Sequence, residues 1–113
     1  MALLDSGSTN NLRPGSLAEV ETGIVIDVSL ADGTSKFVQL PSGTLMCGDD
    51  TMVIVSLGQL VEILGCTAMW CKKKGFTLKH PSRGVLHTNT KNGTPIISEE
   101  LGLALIAEIE EIV

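Results

Sequence analysis

Aromatic side chains are the scarcest class in this 113-residue chain, at 3%, and tyrosine is missing altogether. A core therefore has to be aliphatic, and hydrophobic residues as a whole reach 43%. That fraction excludes a disordered chain, and the length is that of one domain with a core of its own. Long apolar runs are missing as well, since none approaches the ~20 residues that cross a bilayer. We therefore expect no membrane partner.

Basic residues are also few: 8 Lys and Arg stand against 13 Asp and Glu, for a formal net charge of -5. A nucleic-acid-binding face needs clustered cations whose contacts release counterions, so this balance argues against a nucleic-acid partner. The one basic cluster, Lys72-Lys73-Lys74, runs directly into Gly75. That pattern is typical of a hairpin turn with solvated charges.

Metal-ligating residues are sparse and irregularly spaced. The cysteines are Cys47, Cys66 and Cys71, and the histidines are His80 and His87. They do not form a zinc-binding pattern, so we expect neither a metal nor a cofactor. The thiols are expected to be reduced and partly buried, and both histidines to lie on the surface. Because the first residues also lack a charged and apolar leader, the sequence predicts a cytoplasmic protein.

Several short strand patterns are present. Residues 24–30 alternate between apolar and polar side chains, as a half-buried strand does, and Asp32-Gly33 is a strong hairpin signal before a return strand. Residues 51–55 are apolar and β-branched, which predicts a strand buried on both faces. A second hairpin is predicted at residues 66–78, around the lysine turn. We therefore expect an all-β, or mainly β, fold.

Helices are predicted at only two places. Residues 57–64 carry apolar side chains at helical spacing after Ser56, which is a good N-cap residue. Residues 99–112 also carry apolar side chains at helical spacing, after the N-cap residue Ser98. Two further segments are predicted to be loops, residues 15–23 and residues 88–95.

One carboxylate stands at the end of the first apolar run. Ala2-Leu3-Leu4 predicts a buried strand that brings Asp5 into a tight bend at Ser6-Gly7. By itself, Asp-Ser-Gly is a favoured turn tripeptide, because Asp and Ser bond their own backbone and Gly accepts a positive φ. Two apolar residues followed by Asp, by Ser or Thr, and by Gly also form the active-site signature of aspartic proteases. Residues 3–8 resemble that signature.

The order of elements extends this resemblance over about residues 3–87. A carboxylate turn, an Asp-Gly hairpin, a buried strand and a short helix ended by glycine follow one another as in a retroviral-type aspartic protease, or retropepsin. The chain looks most like the protease of copia-type LTR retrotransposon polyproteins. Three segments carry that likeness: residues 5–9, Leu30-Ala31-Asp32-Gly33, and Ser56-Leu57-Gly58-Gln59-Leu60.

The resemblance implies a fold and a division of the chain. Residues 1–87 are expected to form a retropepsin-like half-barrel with one short helix, without the N-terminal strand that the family uses in its dimer interface. Residues 88–113 are expected to be a loop and an additional C-terminal helix, which lie outside the family pattern.

It also implies an activity, the hydrolysis of peptide bonds in a polyprotein substrate. Asp5 is then the catalytic residue, and a water molecule is activated between two Asp carboxylates that share one proton. Since the chain offers one such Asp, the resemblance implies a homodimer with one Asp5 from each copy. The other implied site residues are the active-site loop (Ser6, Gly7 and Ser8) and a flap over the substrate (Ala31, Asp32, Gly33 and Thr34).

Two alternatives remain open at the level of sequence. The chain could keep the fold without the activity and serve as a dimerisation or interaction module, which the missing N-terminal strand favours. It could also be a regulatory protease domain of a host. The intact Asp5-Ser6-Gly7 favours the enzyme, although Asn10 and Asn11 occupy the region where copia proteins often carry a histidine.

Overall fold

The computed structural model of the chain describes residues 1–30, 33–47 and 52–113. Across these residues the fold is mainly β, as the sequence predicts. No helix in this part of the chain is long and apolar enough to span a membrane. The strands are β1 (Ala2–Asp5), β2 (Leu12–Pro14), β3 (Ile24–Leu30), β4 (Gly33–Gln39), β5 (Leu45–Cys47), β6 (Val53–Ser56), β7 (Thr67–Cys71), β8 (Gly75–His80), β9 (Gly84–Leu86), β10 (Asn89–Lys91) and β11 (Thr94–Ile97). The helices are α1 (Leu17–Thr22), α2 (Leu57–Glu62) and α3 (Glu99–Ile112).

The described strands form two sheets. The larger has the order β10-β11-β1-β6-β2-β5-β4-β3, and the smaller has the order β7-β8-β9. β1 and β2 follow one another in the chain, yet they lie on opposite sides of β6. β1 pairs with β6 in parallel and places Asp5 opposite Ser56. The segment between β1 and β2, residues 6–11, therefore passes over the end of β6.

A shared aliphatic core joins both sheets to α2 and α3, in agreement with the scarcity of aromatic residues. α3 packs on β1 and β6, and Gly102 makes this close packing possible. A Cβ atom on Gly102 would lie 2.6 Å from the Cβ atom of Ala2. The largest fully buried hydrophobic side chains are Leu4, Met46, Leu60, Leu78, Leu105, Ile106, Ile109, Val53 and Val55.

The predicted hairpin at the Asp-Gly turn is present, since β3 and β4 pair from Ile24 opposite Gln39 to Leu30 opposite Gly33. Its burial differs from the expectation, because Ile24 is 72% exposed. The reason is that the described core cluster contains no residue of β3 or β4, so the core covers neither face of this hairpin.

The prediction of a loop at residues 15–23 is wrong, because this segment contains α1. Ser16 and Glu19 form a capping box in which the Ser16 hydroxyl accepts from the Glu19 amide and the Glu19 carboxylate accepts from the Ser16 amide. α1 has no buried residue, so it lacks the apolar periodicity from which helices are predicted. The described chain therefore has two short helices, α1 and α2, where one is expected.

The prediction of a loop at residues 88–95 is also wrong. β10 and β11 form an antiparallel hairpin there, turning at Asn92 and Gly93 with φ angles of 52° and 78°. β10 is exposed along its whole length, so no alternation of apolar and polar residues marks it as a strand. The closing helix α3 runs from Glu99 to Ile112 with Ser98 as its N-cap, which confirms that prediction.

Candidate functional site

Asp5 lies where the sequence predicts it, at the junction between a buried strand and a turn. Ala2 and Leu4 of β1 are buried, and Asp5 is the last residue of the strand. Its Oδ1 atom accepts a hydrogen bond of 2.9 Å from the amide of Gly7. As a residue Asp5 is half-buried, and its carboxylate closes its own turn through a hydrogen bond that is exposed to solvent.

Ser56 is hydrogen-bonded to the loop that follows Asp5. It ends β6 opposite Asp5 and is the N-cap of α2, where its hydroxyl accepts from the Gln59 amide. The same hydroxyl donates a hydrogen bond of 2.7 Å to the carbonyl of Ser8. Ser56 therefore connects the candidate catalytic loop to the start of a helix.

Asn11 and Gln59 complete this support. Asn11 is only 1% exposed; its Oδ1 atom accepts from the Ser56 amide at 2.7 Å, and its Nδ2 donates to Gln59 Oε1 at 2.9 Å. Gln59 in turn donates from Nε2 to the Thr9 carbonyl at 2.7 Å. Three residues of the segment after Asp5 are thus hydrogen-bonded to the β6–α2 junction: Ser8, Thr9 and Asn11. Buried and satisfied polar networks of this kind fix a single backbone conformation.

Sequence reasoning found Ser56 only as a helix cap and missed the roles of Asn11 and Gln59. These residues are separated along the chain by 45 to 48 positions, so no local pattern connects them. The one available signal is that Asn11 is a polar residue close to an apolar strand. If such a residue is buried, its polar atoms need hydrogen-bond partners.

The predicted loop residues Ser6, Gly7 and Ser8 remain beside Asp5. Ser6 is exposed, and Ser8 is half-buried with its hydroxyl donating to the Asn10 carbonyl. Gly7 is open, because a Cβ atom there would make one ordinary contact, at 3.4 Å with Asp5 Oδ1. Ser6 also borders an open depression of about 310 Å³ whose other lining residues are Leu57, Gly58, Val61, Glu62 and Ala68.

The predicted flap is only partly within the described residues. Ala31 and Asp32 lie outside them, whereas Gly33 and Thr34 begin β4. Three strands, β5, β2 and β6, separate β4 from β1 in the sheet. Strand pairing therefore does not bring Gly33 and Thr34 next to Asp5.

A cluster that the sequence does not reveal surrounds Arg13. Its guanidinium donates to both carboxylate oxygens of Glu19 and to both of Glu110, at 2.7 to 3.2 Å. These hydrogen bonds raise the pKa of Arg13 and, together with the Ser16 amide, lower the pKa of Glu19 to about 2. The cluster joins β2, α1 and α3, so its role is structural.

His80 contradicts the prediction of a surface histidine, because it is only 4% exposed. The amides of Ser82 and Arg83 donate to its Nδ1 atom, so the ring proton is on Nε2 and is directed to Glu108 Oε1 at 2.9 Å. Glu108 also accepts from Arg83. The group connects the smaller sheet to α3. His87 is exposed, as predicted.

The two cysteines whose side chains the structure describes differ in burial. Cys66 and Cys71 are free thiols, and Cys66 is buried. Burial raises the pKa of the Cys66 thiol, and the nearby Glu108 carboxylate raises it further. The described residues also contain no group of three or more His, Cys, Asp or Glu side chains that could hold a metal ion.

Comparisons with known proteins return no matching family model and no matching curated protein. The case for a function therefore depends on the geometry of the chain itself. In that geometry Asp5, a half-buried residue, begins a loop that is hydrogen-bonded to Ser56 and Gln59.

Proposed function

We propose that this chain is an aspartic endopeptidase domain of retropepsin type, from a copia-like retrotransposon polyprotein, and that Asp5 is its catalytic carboxylate. The observation that carries this proposal is the position of Asp5 on a loop fixed by Ser56, Asn11 and Gln59. Catalysis requires this rigidity because a displacement of about 1 Å can cost a factor of about 100 in rate. The substrate in this proposal is the polyprotein itself, cleaved in the cytoplasm.

Hydrolysis by this route requires a second carboxylate. Residues 5–11 supply only Asp5, so the second member of the pair is Asp5 of another copy of the chain. Two carboxylates about 3 Å apart cannot both ionise, and the pair therefore holds one proton. A homodimer is thus part of the proposal.

The steps balance without a cofactor. The ionised carboxylate takes a proton from water, whose oxygen forms a bond to the peptide carbonyl carbon, while the protonated carboxylate gives its proton to the carbonyl oxygen. When the C–N bond breaks, the leaving nitrogen receives a proton from the carboxylate that took one from water. The other carboxylate recovers its proton from the intermediate, and the shared proton is restored.

The neighbouring residues have supporting roles in this proposal. Ser6 is exposed beside Asp5 and is available to hydrogen-bond across the dimer, and Gly7 leaves room for the substrate backbone. Residues 31–34 would close over a peptide held in extended form by main-chain hydrogen bonds.

The direct test is cleavage of reduced and carboxymethylated casein between about pH 3 and 7, by the wild-type chain and by Asp5→Asn. Loss of one member of the pair removes general acid–base catalysis, so we expect the rate to fall by at least about 100-fold. Asp27→Asn is the matched control, since Asp27 is exposed on β3 and should leave the rate unchanged. An Asp5→Asn variant that cleaves as fast as wild type would contradict the proposal.

The alternative function is an inactive retropepsin-fold module that only dimerises. The observation in its favour is the sheet order, which does not bring the hairpin residues Gly33 and Thr34 to Asp5. The same assay separates the two functions: a wild-type dimer that cleaves no casein at any pH supports the inactive module.

A further inference from the structure

Charge is distributed unevenly along this chain. Residues 66–98 contain six of the eight Lys and Arg and none of the 13 Asp and Glu. The formal net charge of -5 therefore combines a basic segment with a strongly acidic remainder. The three strands of the smaller sheet, β7, β8 and β9, all lie in the basic segment. A charge asymmetry of this kind indicates a surface for an anionic partner.

The cations are most concentrated in the lysine turn, residues 72–74, which connects β7 to β8. All three lysines are exposed. The turn has a defined shape, because the Lys74 amide donates to the Cys71 sulfur at 3.3 Å and Gly75 adopts a φ angle of 71°. No carboxylate in the described part of the chain forms an ion pair with these lysines. Their charges are therefore available to a partner.

An aromatic ring lies beside the lysine turn. Trp70, the only tryptophan of the chain, is two residues before Lys72 and is 56% exposed. Its ring packs edge-to-face with that of Phe76, with 5.6 Å between the ring centroids. Because Phe76 is buried, this contact anchors the Trp70 ring and still leaves much of it open. An open aromatic ring next to several cations is the combination that binds single-stranded nucleic acids.

We propose that Trp70 and the lysine turn bind single-stranded nucleic acid, with a base stacked on the Trp70 ring and the flanking phosphates on the lysines. The charge balance of the whole chain argues against such a partner, but counterion release depends on the cations at the contact. The lysine turn supplies three of them within three consecutive residues. This inference goes beyond the proposed function and does not depend on it.

The arrangement of the exposed apolar side chains favours a nucleic acid over a membrane surface. Met69 and Trp70 are neighbours on β7, so their side chains project from opposite faces of the smaller sheet. A protein that lies on a bilayer needs its exposed apolar side chains on one face. An acidic peptide would be attracted by the lysines, but its charged residues carry no flat ring to stack on Trp70.

The single tryptophan allows binding to be measured at the proposed site itself. We expect an oligothymidylate of about 12 nucleotides to quench the fluorescence of Trp70 through stacking. An abasic oligonucleotide of the same length has the same charge and no bases, so it should leave the fluorescence nearly unchanged. With about three phosphate contacts, the dissociation constant should rise about 20-fold between about 50 and 200 mM NaCl.

Charge variants test the lysine turn. Lys72→Gln/Lys74→Gln should weaken binding and lower the slope of log affinity against log salt by about 1.4, since each lost phosphate contact contributes about 0.7. Lys36→Gln/Lys91→Gln is the matched control. It removes the same charge from exposed positions on β4 and β10, both in the larger sheet, and should bind as wild type does. Equal weakening in both double variants would overturn the inference, because binding would then follow net charge alone.

Three further results would overturn it. These are no quenching by the oligothymidylate, equal quenching by the abasic oligonucleotide, and equal or tighter binding of poly-L-glutamate or of phosphatidylserine vesicles. The last result would identify an acidic peptide or a membrane as the partner. The proposed function fails separately: Asp5→Asn should bind the oligothymidylate as wild type does, whatever its effect on casein cleavage.

Discussion

Individual polar residues in this protein are fixed by long-range hydrogen bonds. Asn11 uses its amide oxygen and its amide nitrogen on two different partners, Ser56 and Gln59, and neither is near it in sequence. An unpaired buried amide costs about 1–3 kcal/mol, so this pairing stabilises the loop as well as orienting it. The loop that follows Asp5 is therefore held both by the Asp5 turn and by these long-range partners.

Arg13 is likewise fixed by its partners, here through charged hydrogen bonds to Glu19 and Glu110. Because the Arg13 guanidinium lowers the pKa of Glu19 from 4.5 to about 2, the ionised Glu19 stabilises the folded state. The folded-state pKa lies below the unfolded-state pKa. This contribution is therefore complete above about pH 4.5 and is lost as the pH falls from about 4.5 to about 2.

We predict that Glu19→Gln lowers the free energy of unfolding at pH 7 and flattens its decline between about pH 4.5 and 2. Urea unfolding at a series of pH values measures both effects. Glu21→Gln is the control, since Glu21 is exposed on the same helix, and its curve should follow the wild-type curve. Parallel curves for Glu19→Gln and wild type across this window would show that the Arg13 pairing contributes no stability.

Among the elements, α3 is held by close packing as well as by ion pairs. Gly102 faces β1 so closely that an added Cβ atom would lie 2.6 Å from the Ala2 Cβ. Both atoms belong to rigid elements, so neither can move away cheaply. Glu108 and Glu110 then attach α3 to the smaller sheet and to β2.

We predict that Gly102→Ala destabilises the fold by about 1–3 kcal/mol, because overpacking exceeds the gain of about 1 kcal/mol in helix propensity. Gly58→Ala in α2 is the matched control. A Cβ atom there would approach no closer than 3.8 Å, to the Ser56 hydroxyl, so this variant should gain stability. Denaturant midpoints of the two variants give the comparison, and a more stable Gly102→Ala would show that α3 can shift on β1.

Elements with a clear apolar period could be predicted from the sequence. The strand before Asp5, the β3–β4 hairpin, the cap at Ser56 and the helix α3 all carry such a local signal. α1 and β10 could not be predicted this way, because exposed elements have no periodic apolar face. The capping box of Ser16 and Glu19 was the available sign of α1.

The candidate site could be predicted only in part. Asp5, Ser6 and Gly7 form a local motif, which one sequence displays directly. The pairs His80–Glu108 and Arg13–Glu110 are 28 and 97 positions apart, and they form only when the chain folds. Such contacts have no local pattern, so His80 was predicted to lie on the surface.

At the scale of the whole molecule, one chain provides half of the proposed catalyst. Ser6, the residue after Asp5, borders the same depression as α2 and Ala68 of β7. In the proposed dimer, association and catalysis are therefore one event. Cleavage should rise more steeply than linearly with protein concentration below the dissociation constant of the dimer.

The central claim is that one active site contains Asp5 from two copies, and mixing wild type with Asp5→Asn tests it directly. With both chains far above the dissociation constant, an equal amount of Asp5→Asn draws half of the wild-type chains into mixed dimers. Casein cleavage by a fixed amount of wild type should then fall to about half. Cleavage that is unchanged by added Asp5→Asn would contradict the account, because each chain would then carry a complete site.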